Sequence, residues 1–174
     1  MKTVVTGALG HIGSRLIRDW YTAFPDGEIV LFDNLSTQRY VSLFNLPSKG
    51  HYIFKEGDVL KDDLNNLLTG ADLVIHLAAI TDAASSFTVR DQVEQVNLEG
   101  TRRVAQACAQ TGTAIIFLST TSVYGTQAAV VDEDCTPEEL KPQSPYAEAK
   151  LRAEEMLQEL GEKAGLRFVI CRFG

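Results

Sequence analysis

Cysteine is scarce in this sequence, with three in 174 residues, at Cys108, Cys135 and Cys171. Their odd number, wide scatter and lack of any Cys-x-x-Cys pair argue against a disulfide framework and against a cysteine-built metal site. They read as reduced thiols that pack as small hydrophobes. Basic charge is also in deficit, because 16 Lys and Arg face 23 Asp and Glu for a net charge of −7. A nucleic-acid footprint needs a basic stripe, so no nucleic-acid partner is expected. A small anionic ligand stays possible, since backbone N–H groups at a helix start hold phosphate without any cation. No apolar run approaches the ~20 residues of a membrane span. No secretory segment precedes the glycine-rich turn that begins at Gly7. A cytoplasmic protein without membrane contact is therefore the expectation. There is also no internal repeat and no low-complexity tract.

What is present is an alternation of strand and helix patterns from end to end. Residues 3–6, 29–32, 51–54, 72–77, 114–118 and 168–171 read as strands. Residues 11–21 read as a helix with Ile12, Leu16, Ile17 and Trp20 on one face. Leu64, Leu67 and Leu68 mark a short helix, and residues 92–110 a long one with Val93, Val96, Val104 and Ala107 inward. A last helix runs from about Tyr146 to about Lys163. Continuous apolar strands between helices predict a sheet covered on both faces, which is a doubly wound parallel α/β fold of the Rossmann kind. A length of 174 residues fits one such domain. Residues 133–143 read as a polar, proline-containing loop, and residues 35–50 as a loop or irregular helix with no regular element assigned.

Chemistry gathers at the strand ends. Gly7, Gly10 and Gly13 follow the first strand and open a helix, an arrangement that admits a pyrophosphate to the backbone and to the helix start. Asp33, 20 residues after Gly13, ends the second strand. A carboxylate there accepts both ribose hydroxyls and repels a 2′-phosphate, which favours NAD; Arg39 is close enough in sequence to keep NADP open. The bland alternative is a tight structural turn with a helix-capping Asp. Asp58 ends the third strand, either as an acceptor for an adenine amino group or as an ordinary loop Asp. Leu77, Ala78 and Ala79 follow the fourth strand, small enough for a cofactor to lie against the backbone or simply to pack closely. His76 reads as a satisfied strand histidine. Hydroxyls cluster after the fifth strand at Ser119, Thr120, Thr121 and Ser122, to hold a substrate oxygen or to cap turns. Tyr146 and Lys150 are four apart on one helix, so they project from one face. A neighbouring ammonium would lower the phenol pKa and make it an acid or base near neutrality, whereas such a pair taken alone is common on any helix surface.

In order along the chain stand Gly7-x-x-Gly10-x-x-Gly13, Asp33-Asn34-Leu35-Ser36, Gly57-Asp58-Val59, His76-Leu77-Ala78-Ala79, Ser119-Thr120-Thr121-Ser122-Val123-Tyr124-Gly125 and Tyr146-x-x-x-Lys150. This set resembles the extended short-chain dehydrogenases/reductases of the NAD-dependent sugar epimerase/dehydratase kind, over the whole chain. The resemblance implies a catalytic Thr120–Tyr146–Lys150 triad and NAD held by Gly7, Gly10, His11, Ile12, Gly13, Asp33, Asn34, Asp58, Val59, Leu77, Ala78 and Ala79, together with Tyr146 and Lys150. It implies no metal. Asn97 matches an orienting residue, and Phe173 falls near the family's nicotinamide contacts. The implied reaction is epimerisation of a nucleotide-activated sugar, a UDP-hexose at C4, through a transient keto sugar. The alternatives are another extended-family reaction (sugar dehydration or a threonine-dehydrogenase-like oxidation) and a non-catalytic NAD-binding module. Dehydratases of this kind follow the threonine with Asp-Glu where this chain has Thr121-Ser122. Family members also continue into a small substrate domain that these 174 residues do not include, so a truncated chain is the expectation. A homodimer is implied through a four-helix contact, with Ala105, Ala109, Ala149 and Ala153 permitting close approach.

Overall fold

The computed structural model describes residues 1–82, 84–126, 131–133 and 135–174. Six parallel strands form one sheet: β1 Lys2–Thr6, β2 Glu28–Asp33, β3 His51–Glu56, β4 Leu73–His76, β5 Ala114–Thr120 and β6 Phe168–Phe173. The strand order is β3-β2-β1-β4-β5-β6. Growth therefore runs outward from β1 in one direction and restarts at β4 in the other. The carboxyl ends of β1 and β4 part at that reversal, where doubly wound folds bind ligands. Among the described residues five α-helices surround the sheet: α1 His11–Ala23, α2 Leu64–Leu68, α3 Arg90–Val93, α4 Gly100–Thr111 and α5 Pro145–Ala164. Pleating divides the apolar residues between the two faces. Val4, Val30, Val74 and Ile115 join α2, α4 and α5 in one core. Val5, Leu31 and Ile75 join Ile17 and Trp20 of α1 in the other.

The structure departs from the sequence reading in three places. Ile12, in the first turn of α1, is 52% exposed rather than turned inward with Ile17 and Trp20. The edge strand β3 pairs only with β2 and is exposed over most of its length, so burial on both faces holds for the central strands and not for this one. In the unassigned 35–50 stretch lies a short 3₁₀ turn, Tyr40–Leu43, flanked by left-handed residues Gln38 and Asn45. The long helix over 92–110 is α3 and α4 joined through a wide turn, Glu94–Glu99, in which the Gly100 N–H donates back to the Gln95 carbonyl. That widening moves the inward register from Val96 to Asn97 and Leu98, which are both buried. Within the polar loop over 133–143, Asp134 lies outside the described residues; Thr136 caps a short turn, Pro137–Glu139.

Candidate functional site

The chain leaves β1 through Gly7 at φ +66°, where a Cβ would lie 2.6 Å from the Ala78 nitrogen. At Gly13 a Cβ would sit 2.4 Å from the Ala8 carbonyl oxygen. Those two glycines are demanded by the chain's own packing, since no side chain fits either gap. Gly10 is different, because an added Cβ would meet only the Gly7 oxygen, at 3.3 Å. It is the N-cap of α1, with no side-chain cap and no acid in the first turn. The helix start therefore keeps unpaired N–H groups and its positive dipole end for an anion.

Beside Gly10 opens a cavity of about 650 Å³. Gly7, Asp33, Asn34, Asp58, Val59, Leu77, Ala78 and Ala79 are among the residues that wall it. His11, Ile12 and Gly13 do not wall it. His11 and Ile12 expose their side chains at the start of α1, and Gly13 is buried there. Asp33 staples the two lips together: its Oδ2 accepts from the Leu9 N–H at 3.0 Å and its Oδ1 from the Leu35 N–H at 2.9 Å. Each oxygen keeps a lone pair for a diol. Asp58 accepts from the Leu60 N–H at 2.9 Å and lies 3.5 Å from the Asn34 amide nitrogen. Sequence reasoning missed Ile80, Thr81, Gln95 and Val96. Ile80 and Thr81 merely continue the run that leaves β4, whereas Gln95 and Val96 reach the cavity from the wide turn, whose sequence pattern reads as ordinary helix.

A directed chain of buried hydrogen bonds holds the β4 wall. The Thr101 hydroxyl spends its one proton on the Asn97 carbonyl at 2.6 Å, so it accepts from His76 Nε2–H at 3.0 Å. That tautomer leaves Nδ1 to accept from the Thr6 hydroxyl at 2.6 Å. Thr6 Oγ1 in turn accepts the Ala78 N–H at 3.4 Å. The Asn97 amide closes the loop, donating to the Ile80 carbonyl and accepting from its N–H, both at 2.8 Å. Burial, and then the charge of Lys150, push the His76 imidazole down to about 3, so it stays neutral. The strand histidine is thus satisfied as expected, and Asn97 has an orienting part.

The three triad residues lie one strand further along, at the end of β5 and the start of α5, and do not wall the cavity. Thr120 ends β5 and accepts the Ser122 N–H at 3.1 Å; its hydroxyl donates to Ser122 Oγ at 3.0 Å. Ser144 caps α5 by accepting from the Ala147 N–H at 3.2 Å, and Pro145 occupies the first turn, which sets Tyr146 and Lys150 on one face. Lys150 is 3% exposed, donates to the Leu118 carbonyl at 2.6 Å, and rests 4.5 Å over the Phe117 ring. Burial lowers its ammonium to about 8, against the pull of Glu154. The expected depression of the phenol is not found. Burial raises the Tyr146 pKa, with the Thr120 hydroxyl opposing; the Lys150 ammonium donates to the Leu118 carbonyl and not to the phenol. Phe173 pairs with Thr120 in register and is 55% exposed.

Sequence reasoning also missed a buried ionic cluster beneath the triad. The Glu154 carboxylate accepts from the Ser119 hydroxyl and from Arg172, whose Nη2 is 2.6 Å from Oε2 and whose Nε is 3.2 Å from both oxygens. Arg172 Nη1 donates to the Tyr124 hydroxyl at 3.0 Å, and the guanidinium lies 5.0 Å over that ring. Its members come from β5, the following turn, α5 and β6, so no local pattern announces them.

Comparison with known proteins agrees with this geometry. The chain is 32% identical over 179 residues to YtcB of Bacillus subtilis (strain 168), described as an uncharacterized UDP-glucose epimerase, covering 99% of this chain and 56% of that protein. It is 32% identical over 178 residues to the dTDP-D-glucose 4,6-dehydratase of Mus musculus, covering 98% of this chain and 49% of that one. Among solved structures it matches UDP-glucuronic acid 4-epimerase from Bacillus cereus, in complex with UDP-glucuronic acid and NAD, at a TM-score of 0.87 and 31% identity, covering 99% of this chain and 56% of that one. The chain thus spans about half the length of the curated relatives it matches. A model of the NAD dependent epimerase/dehydratase family matches residues 3–174, and to that family this chain belongs.

Proposed function

We propose that the cavity beside Gly10 binds NAD and that the triad one strand away serves the epimerisation of a nucleotide-activated sugar, a UDP-hexose at C4. The observation that carries this reading is the juxtaposition of an uncapped helix start at Gly10 and a diol acceptor at Asp33 with Thr120 at the end of β5 and Tyr146 and Lys150 on one face of α5. The residues fit the coenzyme. Gly10 leaves room for a pyrophosphate, Asp33 accepts from a ribose, and Val59 and Leu77 offer apolar walls to a base. Bound NAD would supply a reversible hydride acceptor. Thr120 would hold the reacting sugar oxygen while Tyr146 takes and returns its proton. Lys150 has three donors and spends one on Leu118, leaving others for a ribose hydroxyl.

The turn Thr121–Tyr124 favours epimerisation over dehydration, because it offers hydroxyls and no carboxylate to remove water from the sugar. The proposal extends to a homodimer in the cytoplasm. Among the described residues no helix is long and apolar enough to cross a membrane. Ala105, Ala149 and Ala153 are buried inside the chain, in the core that α4 and α5 share, so a dimer would use the outward faces of these helices.

Calorimetric titration with NAD and NADP, followed by chromatography after incubation with a panel of nucleotide sugars, tests the reading. Binding of NAD ahead of NADP and interconversion of two UDP-hexoses without net NADH is the expected result. Accumulating NADH would identify a net dehydrogenase, and binding without turnover a coenzyme module. No binding of either dinucleotide would refute the site.

A further inference from the structure

Lys150 poses a problem of charge. Its ammonium is almost fully buried, yet its partners are one carbonyl and one ring face. An ion so placed sheds its proton unless an opposite charge stands near. The charged and titratable groups around it are Glu154 and Tyr146 on α5, His76 on β4, Arg172 on β6 and Tyr124 on the turn after β5. His76 is neutral, so Glu154 is the anion, one helical turn beyond Lys150 and 2% exposed. The carboxylate is anchored on both sides, by Ser119 and by the forked Arg172 contact. Arg172 is itself fixed by the hydroxyl and ring of Tyr124.

We propose that Glu154, clamped by Arg172 and Ser119, is the positioning residue that keeps Lys150 charged and aimed at the end of β5. Ser119 directly precedes Thr120, so the clamp also ties the strand carrying Thr120 to the helix carrying Tyr146. Glu154 touches neither coenzyme nor sugar in this scheme; it acts through Lys150. Arg172 sets how strongly it acts, because the guanidinium partly cancels the carboxylate's field at the ammonium. The inference rests on the reading of Lys150 as a coenzyme ligand for its use, but not for its physical content.

The test separates the two. Carbon-13 NMR of ¹³Cε-labelled lysine, with the Lys150 resonance assigned through K150R, reads its titration midpoint in the chain without coenzyme. Glu154→Gln removes the anion and should lower the midpoint by about one pH unit or more. Arg172→Met removes the cation and should raise it. A purely structural role predicts movement in the same direction for both variants, since both break the same ion pair. An unmoved midpoint in Glu154→Gln, or a lowered one in Arg172→Met, overturns the proposal. Should Glu154→Gln fail to fold, Arg172→Met decides alone. NAD affinity measured across the same pH range then reports on the coenzyme reading. Opposite midpoint shifts with no NAD binding would keep the clamp and discard the ligand role of Lys150.

Discussion

The two halves of the sheet build the site by different means. On the β1–β3 side the features are shape and backbone: a glycine turn, an uncapped helix end and an open cavity whose carboxylates mostly brace main-chain N–H groups. On the β4–β6 side they are buried charge and buried polar chains, with Lys150, Glu154, His76 and Asn97 all nearly inaccessible. A shape-built half is held by what cannot fit into it. A charge-built half is held by whether every partner is in place, since an unpaired buried ion is costly. The first should therefore fail by losing its ligand while staying folded. The second should fail by losing protonation states, reactivity or stability.

Three experiments press on this contrast. Tyr146→Phe leaves the cavity walls untouched, and we expect turnover to fall by roughly 10²–10⁴ while NAD affinity, read by calorimetry, stays near that of the parent. A substantial loss of NAD affinity instead would mean that the halves are not separable. His76 offers a pH test. Its imidazole is held near 3 in the folded chain against an ordinary value of 6.5. Between those values the unfolded chain takes up a proton that the folded one refuses. The stability from His76 is thus fully present above about 6.5 and is lost as pH falls toward 3. Denaturant midpoints should drop over that interval, and His76→Gln should flatten the drop; an unchanged slope in the variant would place the acid sensitivity elsewhere. The smallest effect expected is at Gly10→Ala. The methyl has only the Gly7 oxygen to push against, so the thermal midpoint should hardly move while NAD affinity falls by about tenfold, or about 1.4 kcal/mol. Retained affinity would mean that the phosphates do not pass over that glycine.

The contrast also explains what could be read from residues alone. The strands were legible as apolar runs, and the reversal of strand order followed from their alternation with helices. The glycine turn was legible because sequence neighbours there are spatial neighbours, and Asp33, 24 residues from Leu9, because an acid at the end of the second strand keeps a regular spacing from such a turn. The Glu154–Arg172–Ser119 cluster was not, since 18 residues separate the first two and 35 separate Glu154 from Ser119. The direction of the Tyr146 shift was missed for a related reason. Four-residue spacing shows that two side chains share a face, but not that Lys150 bends to a carbonyl of β5. The outward aim of Ile12 and the wide turn at Glu94–Glu99 escaped because periodicity assumes one uniform helix.

The wide turn has a consequence for any redesign of this scaffold. Helix α4 takes its phase from the extra residue accommodated there, and one residue is worth about 100° of rotation. Deleting a residue within Glu94–Glu99 would restore regular helical winding at little local cost and swing Asn97 away from Ile80. The helix would survive and the wall that it holds would come loose, so a variant shortened there would look well folded by circular dichroism while the cavity beside Gly10 had lost its mould.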